Sequence, residues 1–139
     1  MTNKARYVLD TNVIVSALLI PDSTPGLAFF EACNRGELLL SDEAIKEITD
    51  VLRRPKFDRY VLPEERDWFL ATLIRESKHV NPTERLTVCR DLKDNKWLEL
   101  AVSGNSTWLV TGDDDLLALD GFRGITIATP AVFVQSLTK

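Results

Sequence analysis

The sequence predicts an α/β fold: a central parallel sheet of about five strands with helices on both faces, three layers in all. Short strand-like runs alternate with helix-like segments from end to end. The strand runs are apolar throughout rather than alternating, as strands buried on both faces are. At 139 residues, 45% hydrophobic and 27% charged, the chain suffices for one domain, 1–139, with its own core.

The first strand is Arg6-Tyr7-Val8-Leu9, ending at Asp10. Asn12 is placed to cap the next run, Val13 to Ile20, which stops at Pro21. Thr24-Pro25 reads as a cap and a first helical position; that helix continues through Phe29, Phe30 and Cys33 to about Gly36. Leu38-Leu39-Leu40 is the second strand. Ser41 caps a helix carrying Asp42 and Glu43 in its first turn, where the helix dipole favours acids, and Arg53, Arg54 and Pro55 close it. Pro63 opens a helix through Trp68, Phe69, Leu73 and Ile74. The third strand has the weakest signal, around Leu86-Thr87-Val88. Asp94 caps a helix holding Trp97, Leu98, Leu100, Ala101 and Val102, and Gly104 ends it. Thr107 to Thr111 is the fourth strand, followed by Gly112-Asp113-Asp114-Asp115 and a helical turn, Leu116 to Leu119. Ile125-Thr126-Ile127 is the fifth strand, and Thr129-Pro130 caps a last helix to Leu137.

The composition excludes disordered, collagen-like and low-complexity chains. The apolar runs Val13-Ile14-Val15 and Ala17-Leu18-Leu19-Ile20 are far shorter than a membrane span, and no secretory signal is read in Met1 to Arg6. Cys33 and Cys89 lack redox or metal spacing, so a reduced, cytoplasmic protein is expected. The charge is −4, from 17 basic and 21 acidic residues, whereas proteins that bind nucleic acid by bulk charge are basic. Where the acids fall decides what this means.

Ligands of parallel sheets sit at the carboxyl ends of the strands. The first strand ends in Asp10 and the fourth runs into Asp113, Asp114 and Asp115, while Asp91 and Asp94 precede a helix. Taken singly, each is an ordinary turn or cap residue; together they lie on one rim. Glu47 joins them by periodicity. At about 100° per residue, Ala44, Ile45, Ile48, Val51 and Leu52 form the apolar stripe of their helix, and Glu47 lies at its edge. Carboxylates gathered in one cleft repel each other and require a cation. The single histidine, His79, has no partner, which argues against zinc. Oxygen-only ligands point to Mg²⁺ or Mn²⁺, which polarise phosphate and acidify bound water. Such ions also supply the positive charge that an acidic protein lacks.

The segments Val8-Leu9-Asp10-Thr11-Asn12-Val13, Asp91-Leu92-Lys93-Asp94-Asn95-Lys96-Trp97-Leu98-Glu99-Leu100-Ala101 and Val110-Thr111-Gly112-Asp113-Asp114-Asp115-Leu116-Leu117, with Glu47 in its helix, resemble PIN-domain proteins, in particular the prokaryotic branch of toxin components of toxin–antitoxin systems. The resemblance covers essentially the whole chain. It implies an α/β/α sandwich and a Mg²⁺- or Mn²⁺-dependent ribonuclease. Its catalytic, metal-holding acids map to Asp10, Glu47, Asp94 and Asp113, with Glu47 a further ligand or a water-positioning group, its additional metal ligand to Asp115, and its supporting polar residues to Asn12 and Thr111; Asp91 competes with Asp94 for the third place. Two positions depart from the pattern: Asn95 stands where a second Asp is common, and Asp114 where Lys or Arg is common.

A haloacid-dehalogenase-like phosphatase needs a second Asp where this chain has Asn12, and a response-regulator receiver needs a layout of acids and lysine that is absent. The alternative of another class is a catalytically silent module of the same fold that binds RNA or protein. Arg53, Arg54 and Lys56, with Arg59, form a basic cluster that can track an RNA backbone. Lys93 and Lys96 flank Asp94, and the ordinary reading of these basic residues, the 53–59 cluster included, is a solvated helix end. Trp68 lies off the stripe made by Phe69, Leu70, Leu73 and Ile74 and is a candidate interface anchor. The resemblance implies a homodimer and an antitoxin as second partner.

Overall fold

In the computed structural model, residues 4–138 are described. The strands β1 (Ala5–Leu9), β2 (Gly36–Leu40), β3 (Lys78–His79), β4 (Trp108–Val110) and β5 (Thr126–Ala128) form one sheet in the order β3-β2-β1-β4-β5, each neighbouring pair parallel. The helices are α1 (Thr11–Leu19), α2 (Thr24–Arg35), α3 (Asp42–Leu52), α4 (Pro63–Glu76), α5 (Asn95–Ser103), α6 (Asp114–Leu117) and α7 (Pro130–Ser136). Right-handed crossovers between parallel strands put α1 to α4 over one face and α5 and α6 over the other. α7 returns to pack on α2. No single helix among the described residues is long and apolar enough to cross a membrane.

The strand order reverses between β1 and β4, because the chain winds outward from β1 to β3 and then crosses back to β4. Such a reversal opens a crevice at the carboxyl ends of the two central strands. Tyr7 pairs in register with Leu38 on one side and Trp108 on the other, and Leu9 pairs with Val110. Tyr7 and Trp108 both meet Phe133 of α7 edge to face, with ring centroids 5.5 and 5.1 Å apart. Val8, Leu109, Leu98 and Leu100 are fully buried, as the uninterrupted apolar strands require. Gly36 starts β2 where a Cβ would lie 2.0 Å from the carbonyl oxygen of Ala5, so the two strands meet at a distance only glycine permits.

The third strand is not Leu86-Thr87-Val88. It is β3, two exposed residues whose register is Leu39 with Lys78 and Leu40 with His79. An exposed edge strand this short carries no apolar signature. The stretch holding Leu86 runs along α5 instead. The amides of Thr83, Leu86 and Cys89 donate to Ser103 Oγ (3.0 Å), Glu99 Oε2 (2.8 Å) and Asn95 Oδ1 (3.0 Å). These acceptors stand four residues apart, on one face of the helix. Leu86 and Cys89 are buried there, so the apolar signal was real, but a helix face and not a strand satisfies the backbone.

Two caps also differ by a residue or two. Asp10, not Asn12, caps α1 by accepting from the Val13 amide, and Ser23, not Thr24, caps α2 by accepting from the Gly26 amide. Ser41 and Thr129 cap α3 and α7. In α4, Leu73 is buried and Phe69 and Leu70 are half-buried, whereas Ile74 is exposed. The same helix buries Arg66, which donates to the carbonyls of Leu52 (2.9 Å) and Arg54 (3.3 Å) and to Asp58 Oδ1 (2.6 Å). It thereby satisfies carbonyls at the carboxyl end of α3.

Candidate metal centre

Asp10 leaves β1 and Thr111 leaves β4, side by side at the strand-order reversal. Thr111 is fully buried; its hydroxyl donates to Asp10 Oδ2 and accepts from the Asp113 amide at 3.0 Å. One threonine thus fixes the first and last acids relative to each other. Asp10 is 6% exposed and its pKa is raised, first by burial and then by the charges of Asp113 and Glu47; its bonds from Thr111 and Val13 oppose the rise.

Asp94, Asp113 and Asp115 each bring a carboxylate oxygen to within 4.8 Å of the others. Asp113 also caps α6 by accepting from the Asp115 amide at 2.8 Å, which turns Asp115 back toward the group. Asp94 stands at the N-cap position of α5, but its side chain makes no capping bond there; Asp91 caps the preceding turn through the Lys93 amide at 3.0 Å. Asp94 is left with a buried Oδ2 that has no hydrogen-bond partner among the described residues. Burial, then the charge of Asp113 and those of Asp91 and Asp115, push its pKa up to about 6. The Cys89 thiol, pushed up to about 11 by burial, also feels Asp94, Asp113 and Asp115.

The donor set fits a small divalent cation. It is all oxygen, and its three oxygens, within 4.8 Å of one another, are close enough to share one ion. The orphaned Asp94 oxygen is the kind of buried polar atom that an ion satisfies.

Glu47 stands apart from this trio. It is half-buried at the edge of the α3 stripe, where the helical period put it. Its Oε2 accepts from Thr11, and its Oε1 pairs with Lys96 Nζ at 2.7 Å. Lys96 is therefore no solvated helix-end charge; its side chain is 16% exposed, and Nζ also donates to the Lys93 carbonyl at 2.9 Å. Thr11 and Lys96 were not recognised from sequence as neighbours of Glu47. Thr11 sits one residue after Asp10, and Lys96 two after Asp94.

Asn12 is exposed and makes no side-chain hydrogen bond among the described residues. Asn95 is buried and its Oδ1 holds the Cys89 amide, so this departure from the family pattern serves the scaffold. Asp114 is exposed. Arg53, Arg54 and Lys56 are exposed beyond the carboxyl end of α3, Arg53 about 9 Å along the helix axis from Glu47, and none pairs with the acids of the centre. His79 pairs with Asp42 at 2.7 Å, away from the trio.

Known proteins share this fold. The solved structure of PAE2754 from Pyrobaculum aerophilum superposes with a TM-score of 0.61 at 18% identity, over 97% of this chain and 91% of that one. The crystal structure of VapBC2 from Rickettsia felis, bound to a DNA fragment from its promoter, superposes with a TM-score of 0.59 at 12% identity, over 88% of this chain and 96% of that one. At the sequence level, the uncharacterized protein MJ1680 of Methanocaldococcus jannaschii is 35% identical, over 98% of this chain and 94% of its own length. The profile of the PIN domain matches residues 6–115, which take in all of β1 but its first residue, Asp10, Glu47, Asp94 and the Asp113–Asp115 turn. By that match the chain belongs to the PIN domain family.

Proposed function

We propose that this protein is a divalent-metal-dependent endoribonuclease that hydrolyses RNA phosphodiesters, and that it is the toxin of a prokaryotic toxin–antitoxin pair working in the cytoplasm. The observation that carries the chemistry is the convergence of Asp94, Asp113 and Asp115 oxygens within 4.8 Å at the strand-order reversal, with Asp10 locked beside them through Thr111. Asp10, Asp94, Asp113 and Asp115 would hold Mg²⁺ or Mn²⁺. Bound there, such an ion supplies Lewis-acid polarisation of the scissile phosphate and acidification of a water.

The chain's own residues supply the positioning. Thr111 keeps Asp10 and Asp113 at fixed separation; the α6 turn aims Asp115; Glu47, held by Thr11 and Lys96, faces the same crevice as a water-positioning carboxylate. Preset geometry of this kind lowers the reorganisation needed at the moment of in-line attack. Arg53, Arg54 and Lys56 are exposed and free to meet the sugar–phosphate backbone. Trp68, 70% exposed beside the apolar groove of Phe29, Phe30, Leu38 and Phe69, is the proposed anchor of a homodimer, with an antitoxin as second partner.

The test is cleavage of a mixed RNA pool with Mg²⁺, Mn²⁺ or EDTA, with fragment ends sequenced. Wild type cuts only with the metal, and Asp10→Asn, which keeps the α1 cap but removes the charge, loses cleavage while keeping its fold. Wild-type cleavage by folded Asp10→Asn refutes the reading. Metal-stimulated RNA binding without cleavage would instead identify a silent binding module.

A further inference from the structure

Lys96 is a positioned cation. Lysine normally extends its ammonium to water, yet here the side chain is 16% exposed and Nζ is held by Glu47 Oε1 at 2.7 Å and by the Lys93 carbonyl at 2.9 Å. Among the described residues it is the one basic side chain that pairs with an acid of the centre. The other Glu47 oxygen accepts from Thr11, so both oxygens are occupied, and Glu47 is not part of the Asp94, Asp113 and Asp115 group. The centre therefore has two halves. One is three aspartates that no basic side chain among the described residues pairs with, and an orphaned buried oxygen. The other is Glu47, already supplied with a positive charge.

We propose that the Lys96 ammonium occupies the place of a second divalent cation, so that the chain binds one ion, on the aspartates of the centre, and holds Glu47 out of its coordination. This rests on the metal centre proposed above and specifies its stoichiometry. Lys96 is a positioning residue in this scheme: it acts through Glu47. The ammonium neutralises one carboxylate at a fixed distance and brings no vacant coordination positions, whereas a divalent ion there would need further oxygens and would draw Glu47 and Asp10 together.

Equilibrium titration of the full-length protein with Mn²⁺ at neutral pH, counting bound ions by the electron paramagnetic resonance of the free ion, separates the outcomes. Wild type and Lys96→Arg bind one ion per chain. Lys96→Met and Lys96→Gln bind two, and adding Glu47→Gln to either returns the count to one. Two ions on wild type, or one on both folded neutral variants, overturns the role of Lys96 while leaving the metal centre intact. No binding by wild type overturns the metal centre and this inference with it. If Lys96 merely ties α3 to α5, its neutral variants melt lower with an unchanged ion count. If neither neutral variant folds, the counts for wild type and Lys96→Arg still decide, because two ions on either refutes the substitution of ammonium for metal.

Discussion

Replacing Asp94 with Asn should stabilise the metal-free protein. The side chain keeps its shape, loses its charge, and gains an amide that can donate to Asp113. In the folded chain the Asp94 carboxyl is held at about 6 instead of 3.8, by burial first and by its acidic neighbours next. Taken at full strength that difference is worth about 3 kcal/mol. Asp94 is only half-buried, and solvent screening reduces the figure to about 1 kcal/mol. For a chain of this size that is a rise in melting midpoint of about 3–5 °C.

The sign follows from proton binding. The fold holds the Asp94 proton more tightly than the unfolded chain does, so its contribution is fully present below the unfolded value. It is lost as pH rises through about 6. The advantage of Asp94→Asn is therefore near zero at about pH 3 and complete at about pH 7.5. Thermal unfolding of both proteins in EDTA across that range measures the difference and cancels the titration of groups that do not interact with Asp94. A variant that melts at or below wild type at about pH 7.5, or an advantage that does not shrink in acid, refutes the strained-carboxylate reasoning.

Metal should reverse this order: Mn²⁺ at about a hundred times its dissociation constant stabilises wild type by about 2.7 kcal/mol, Asp94→Asn by much less, and EDTA abolishes both gains. Melting unmoved by Mn²⁺, with and without an RNA oligonucleotide, counts against the centre. Asp114→Lys should strengthen RNA binding and steepen the slope of log affinity against log salt by about one, read by filter binding over a salt series; an unchanged slope places the exposed Asp114 off the phosphate path. Light scattering at tens of micromolar should give a dimeric mass for wild type and a monomeric mass for Trp68→Ala, and a monomeric wild type rules out the homodimer.

The strands that build the crevice were legible because burial on both faces forces an uninterrupted apolar run, as in Val8-Leu9 and Leu109-Val110. Glu47 was legible because helical periodicity is strict enough to place one acid at the stripe's edge. β3 was not, since two exposed polar residues on a sheet edge have no pattern to leave. Leu86 misled for the complementary reason: it is buried against α5, and apolar burial alone does not say what pairs with the backbone. The pairing of Lys96 with Glu47 joins residues 49 positions apart, and charges next to an acid in sequence read first as solvated ones. Caps failed by a residue or two at Asp10 and Ser23 because adjacent polar residues compete for the same amide.

The stretch between β3 and α5 is held by three backbone amides that donate to Ser103, Glu99 and Asn95, and by the ion pairs of Glu84 with Arg123 and of Arg85 with Glu43 and Glu99, instead of by a sheet ladder. It can therefore peel from the helix as a unit while the five strands stay closed, a local opening far cheaper than global unfolding. Cys89 rides on it, shielded by burial and by a thiol held at about 11, so alkylating reagents reach its sulfur only during such openings. The stretch ends at the turn bearing Asp94. An ion that fastens Asp94 to Asp113 clamps that end to the segment following β4. The alkylation rate of Cys89, measured in a chain whose exposed Cys33 is replaced, then becomes a clock for metal occupancy kept by a residue that never touches the metal.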